Sequence, residues 1–163
     1  MKHMYTLEKR HFKMMSKPTV TILLTIMRVV LGGSWLYEGV FKVQAQFSIA
    51  GLVHTIAQGD ASPLWYEQFI VHIVGNAISI FNLLIPAGEV AVGLALITGI
   101  VPRVALLVAI FMGINYWLAN MIYIYPLQLF VAVVLICTSP NTKRYTIATL
   151  LARIPYKRQL PNR

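Results

Sequence analysis

The stretch Ile22–Val43, ILLTIMRVVLGGSWLYEGVFKV, constrains this chain more than any other. It is long enough to cross a bilayer, because about 20 mostly apolar residues cover about 30 Å of hydrocarbon. Yet it carries Arg28, Glu38 and Lys42. A charge at bilayer depth is costly unless paired or hydrated, so such residues face a bundle interior or a wet cavity. With the helical period, Arg28, Gly32, Trp35, Gly39 and Lys42 fall on one broad face. Glu38 borders that face, one helical turn from Lys42 and at pairing distance. The opposite face is Leu, Ile and Val and suits lipid. The rest of the chain has to supply partners for the charged face.

Composition sets the class. The chain is 58% hydrophobic and only 12% charged, with a mean hydropathy of +0.69. A soluble domain carries about 25% charged residues, so an integral membrane protein with a single domain is expected. The net charge of +9 would also suit nucleic acid, but the cations gather at the two ends. Lys2, Lys9, Arg10, Lys13 and Lys17 precede the first apolar run, and Lys143, Arg144, Arg153, Lys157, Arg158 and Arg163 follow the last. Positive-inside topology explains that distribution, so no nucleic-acid partner is expected. Cys137 is the only cysteine. With no disulfide and no CxxC, the chain alone runs no thiol relay. The basic start followed by an apolar run resembles a signal peptide, but the run is a full span with no clear cleavage site. It reads as an uncleaved signal anchor.

Turn residues and apolar runs divide the chain into a basic cytoplasmic N-terminus (1–19), a membrane domain (20–141) and a basic cytoplasmic tail helix (142–163). Spans are expected at about 22–43, 80–101, 103–122 and 124–139, with an outer helical loop at 44–79 that contains no Lys or Arg up to Ile78. Ser62-Pro63 followed by Glu67 marks a helix start there, and Gln68, His72, Asn76 and Ser79 form a polar stripe along it. Leu64–Ile85 is itself long enough to span, which would make five crossings. Four crossings place both basic ends and Arg103 in the cytoplasm and are therefore preferred.

Counting depth at about 1.5 Å per residue from the cytoplasmic ends puts Arg28 and Glu89 within reach of each other. They are expected to pair, with Glu38 and Lys42, joined by Asn120 or His72, forming an outer polar layer and Asn115 at about the depth of Glu89. Such intramembrane ionisable residues are functional by default, although mutual neutralisation that holds the bundle together explains them equally well. Trp35, Tyr37, Phe41, Tyr116 and Trp117 are able to stack on a flat ligand, but packing is the commoner role of such aromatics. No span holds a histidine and no metal-ligand spacing is present, so neither haem nor metal is expected.

The residues Arg28-x-x-x-Gly32, then Trp35-Leu36-Tyr37-Glu38-Gly39-x-x-Lys42, then Gly88-Glu89-x-x-x-Gly93-Leu94-Ala95-Leu96-Ile97-x-Gly99-x-x-x-Arg103 resemble the DoxX family of small four-span membrane proteins, in particular its DoxD-like branch. The resemblance covers roughly Ile26 to Asn141. The chain departs from the family pattern at Thr138-Ser139-Pro140-Asn141, where glycine is usual, and at Gln128, where an acid is common. The family includes a small subunit of a thiosulfate:quinone oxidoreductase, a membrane anchor of an antioxidant complex and receptor-assembly chaperones. The resemblance implies an all-α, integral membrane four-helix bundle and points at Arg28, Glu38, Lys42, Glu89 and Arg103.

The resulting expectation is a membrane subunit of a redox system in the cytoplasmic membrane that interacts with a quinone. Arg28 and Glu89 would serve as the proton-handling pair, and Trp35, Glu38, Lys42, His72, Asn115, Trp117 and Asn120 would bind the ligand. A pocket is expected between Arg28, Trp35, Glu89 and Trp117. The expected partners are membrane lipid, quinone and a protein subunit or a second copy of the chain, with no covalently bound cofactor. The competing reading is a non-catalytic scaffold or assembly factor.

Overall fold

The computed structural model describes residues 18–138, an all-helical fold with turns between the helices and no strand among the described residues. Two helical runs, Val20–Gln44 and Leu64–Thr98, are long and apolar enough to cross a membrane. The basic N-terminus and the tail helix at 142–163 lie outside the described residues.

Helix α1, Pro18–Gln44, opens on a proline, which suits a first helical turn because its missing N–H has no partner there in any case. Its two faces divide as the sequence pattern requires. Thr21, Leu24, Arg28, Leu31, Trp35 and Lys42 are buried, whereas Ile22, Leu23, Ile26, Val30, Tyr37 and Phe41 are exposed. Contiguous apolar exposure on this scale marks a surface made for lipid or a partner rather than water.

Helix α2, Ala50–Gln58, and helix α3, Leu64–Phe69, follow. Pro63 is the residue before α3 and holds extended ψ, so the helix starts where the Ser62-Pro63 pair predicts. A π-helical turn at Ile70–Val74 and a 3-10 turn at Gly75–Ala77 then lead into helix α4, Ile78–Thr98. Ala77, at φ −130° and ψ 32°, leaves helical geometry. The break bends the chain. A straight helix would carry Tyr66 about 24 Å beyond Asn82, yet the Tyr66 hydroxyl donates to the Asn115 carbonyl at 2.9 Å. The Ser62 hydroxyl likewise donates to the Leu118 carbonyl at 2.8 Å. Both carbonyls belong to the last turn of the helix below; that of Asn115 also accepts from the Ala119 N–H at 3.0 Å. The segment 64–77 is thus an arm folded across the end of the bundle, with α2 packed against it.

Gly99 closes α4 in the left-handed conformation, φ 69°, with its N–H bonded to the Ala95 carbonyl, a stop signal reinforced by Pro102. Helix α5 is Pro102–Leu118 and helix α6 is Tyr125–Cys137. The predicted third span ran to residue 122. The helix ends earlier because Asn120 takes a positive φ of 56°, which asparagine tolerates and which stops an α-helix.

Helix α1 packs on α4 and α6, and α5 packs on the same two helices, so the four close a ring of contacts. Leu24, Leu31, Trp35, Leu96, Leu106 and Leu135 fill it. A second apolar cluster, with Ile49, Ile56, Tyr66, Ile70, Val74 and Ala119, lies under the arm. The α1–α4 seam is the tightest. A Cβ added to Gly32 would stand 2.9 Å from the Gly93 carbonyl oxygen, and one added to Gly39 would stand 2.8 Å from the Val90 amide nitrogen. Glycine here removes the side chains that would hold the two backbones apart. The resulting antiparallel register sets Glu38 level with Glu89, and Arg28 level with Gly99.

Candidate functional site

That register decides which charges meet. Cα–Cβ bonds tilt toward a helix N-terminus. The α1 N-terminus lies at the Arg28 end of the ring, so the Lys42 side chain runs back down its helix. Helix α4 runs the other way, so Glu89 leans up toward Lys42. The Lys42 Nζ donates to Glu89 Oε1 at 2.6 Å. On α5, the Tyr116 hydroxyl donates to the same oxygen at 2.5 Å, within the range of charge-assisted O–H bonds to a carboxylate. On α6, the Tyr125 hydroxyl accepts from Lys42 Nζ at 3.3 Å and donates to Glu38 Oε2 at 3.3 Å. Glu38 Oε2 is also 3.6 Å from Lys42 Nζ. All four ring helices therefore contribute to one polar cluster.

Aromatic rings wall it. Trp35, fully buried, stacks on Tyr116 with centroids 6.2 Å apart, and Tyr116 packs on Tyr125 at 4.2 Å. Lys42 Nζ lies 5.4 and 5.6 Å from the centroids of those two tyrosines, close enough for attraction between the ammonium and the ring faces. Glu89 has no exposed surface, whereas the Glu38 side chain keeps 20% of its own. Glu89 Oε2 and Trp35 Nε1 are buried and make no hydrogen bond.

Beside the cluster is a cavity of about 300 Å³, at the small end of ligand pockets. The arm roofs it with Tyr66, Phe69, Ile70 and Val74, and α2 adds Leu52. Gly88 of α4 and Tyr116 of α5 line its wall, and Leu84 and Phe111, both largely exposed, stand at its rim. The cavity is apolar almost throughout and touches the polar cluster through Tyr116.

Several expectations need correction. Glu89 pairs with Lys42, not with Arg28. Arg28 is buried but stands fourteen residues down α1, about 21 Å from Lys42, and its side chain leans away from Glu89. The expected pocket between Arg28, Trp35, Glu89 and Trp117 is replaced by the one under the arm. Trp117, 60% exposed, turns outward instead. His72 and Asn120 are exposed and outside the cluster. Asn115 does line the cavity, although its side-chain amide donates to its own helix, at the Phe111 carbonyl. Trp35, Glu38, Lys42 and Glu89 are brought together. Among the described residues, no three His, Cys, Asp or Glu side chains gather as a metal site.

Tyr125 escaped the sequence reading because a tyrosine ahead of Pro126 looks like an interface anchor. Tyr116 was visible only as an aromatic. Gln128 is also buried, and its amide donates to the Ser34 hydroxyl at 3.1 Å. It makes a neutral contact between α1 and α6. No family model, no curated protein and no solved structure matches the chain.

Proposed function

We propose that this chain is a DoxX-type integral membrane protein that crosses the bilayer four times, through α1, α4, α5 and α6, with both termini in the cytoplasm and the arm outside. It serves a redox system as a membrane subunit that binds a quinone under the arm. The observation that carries this reading is the apolar cavity that meets a buried acid–base cluster at Tyr116. A quinone needs that combination, an apolar bed for the tail and ring and a proton-bearing group at the carbonyl. The exposed rim at Leu84 and Phe111 suits entry from the lipid side. The electrons come from a partner subunit, which the arm or the basic ends would dock.

The scaffold reading draws on one specific observation. Lys42 and Glu89 are closed on each other and buried, as a structural staple between α1 and α4 would be. Short-chain quinone binding separates the two readings. Tryptophan fluorescence of detergent-solubilised wild type should be quenched saturably, and Tyr116→Phe should weaken the binding. No saturable response in wild type removes the quinone reading and leaves the scaffold.

A further inference from the structure

Glu38, Lys42, Glu89, Tyr116 and Tyr125 do more than neutralise one another. The cluster holds two carboxylates and one ammonium, and the tyrosines add hydroxyl donors without charge. With both carboxylates ionised it carries one uncompensated negative charge, in a place where burial makes such charge costly. One proton removes the imbalance. The groups facing Glu89 are Glu38 and Lys42 from α1, Tyr116 from α5 and, through Lys42, Tyr125 from α6. The hydrogen bonds join both carboxylates to the ammonium and the hydroxyls, so the proton belongs to the cluster rather than to one carboxylate.

The bonds also form a line. Glu38 is the partly exposed end. From it the contacts run to the Tyr125 hydroxyl at 3.3 Å, to Lys42 Nζ at 3.3 Å, to Glu89 Oε1 at 2.6 Å and to the Tyr116 hydroxyl at 2.5 Å. Tyr116 is the member that lines the apolar cavity. We propose that this cluster is a proton-binding and proton-transfer site: it stores one exchangeable proton and connects the Glu38 edge to the cavity wall. Each group passes one proton to the next and receives one from behind. Only O–H and N–H bonds form and break, and no electron moves. For a proton to pass from Glu38 to the cavity, Lys42 first gives one to Glu89, and the Tyr125 and Tyr116 hydroxyls, which donate to Glu38 and Glu89 at rest, turn toward Lys42 and the cavity. Tyr125 then gives its proton to Lys42 and regains one from Glu38, while Tyr116 releases its proton and regains one from Glu89. Storage of the proton does not depend on what the cavity binds, so it stands or falls separately from the quinone reading.

The test is infrared spectroscopy of the whole protein in lipid films at neutral pH, reading the carboxylic-acid C=O band that shifts in heavy water. Wild type should show one protonated carboxyl. Glu38→Gln and Glu89→Gln each leave one carboxylate for one ammonium, so the band should vanish in both. Glu38→Gln, at the exposed edge, is the variant that keeps the test usable if Glu89→Gln fails to fold. Lys42→Met leaves two carboxylates and no cation, so the band should double. Tyr125→Phe should keep the band but slow its exchange with heavy water. No band in wild type, a band that survives both glutamine variants, or an unchanged band in Lys42→Met would overturn the storage site. An unchanged exchange rate in Tyr125→Phe would overturn the route through that hydroxyl.

Discussion

Helix α4 has two seams, and they are built in opposite ways. Toward α1 it presents Pro86, Val90 and Gly93, and the backbones meet with no room for one further carbon: a Cβ on Gly93 would stand 2.6 Å from the Leu36 amide nitrogen. Toward α5 it presents Phe81, Leu84, Ile85 and Gly88, and between these and Met112 and Tyr116 a cavity remains. Small residues on both partners let one seam close. Large residues that do not interdigitate leave the other open under the arm. A single helix thereby carries a rigid face that fixes register and an open face that borders a cavity, with Glu89 held between them.

The largest expected effect lies where the two seams join. Glu89→Ala takes the nearest partner from Lys42 and leaves it only Glu38 at 3.6 Å and the Tyr125 hydroxyl, and loss of one partner of a buried pair costs about 3–5 kcal/mol. Thermal unfolding in detergent should show it. Lys42→Met combined with Glu89→Leu should recover part of the loss, and a double variant no better than the worse single one would mean that the pair does not join the seams.

The closed seam comes next. Gly93→Ala forces a methyl group against backbone, and overpacking of this kind costs about 1–3 kcal/mol. The same change at Gly88, on the open seam, should act with the opposite sign. Its Cβ would meet only Met112 at 3.7 Å, an ordinary contact, while alanine gains about 0.5–1 kcal/mol over glycine inside a helix. Equal effects at the two glycines would erase the distinction. Gly88→Leu then sharpens it, because the side chain enters the cavity and should weaken quinone binding with little loss of stability. The smallest effect is expected outside both seams. Trp117→Ala should leave saturable quinone quenching unchanged in affinity, because Trp117 turns outward.

Much of the closed seam was legible in the sequence. The buried face of α1 follows from the period alone, since Thr21, Arg28, Trp35 and Lys42 recur every seven residues and all are buried. The glycines that make the close approach were visible too. What the sequence reading lacked was the pairing of one notch with another. Setting Gly32 against Gly93 would have placed Glu38 within two residues of the level of Glu89 and sent Arg28 to the far end, whereas counting depth from the helix ends did not. The open seam was far less legible. A void depends on the fit of side chains from four elements, and no local pattern encodes it. The break at Ala77 has only Gly75 and Asn76 to announce it, and an uninterrupted apolar run conceals the fold-back of the arm.

The helices of the ring also differ in length. Helix α1 has 27 residues and α6 has 13, or about 40 Å against about 20 Å of rise. In the four-span arrangement proposed above, the long wall would exceed the hydrocarbon thickness and the short wall would fall below it. The cost of such mismatch is met by tilt, by thinning of the lipid beside the short helix, or by association along that side. Lipid next to α6 is then compressed relative to lipid next to α1. In that arrangement a second membrane protein seated against α6 would relieve the compression, so assembly would be favoured along that edge even without specific contacts.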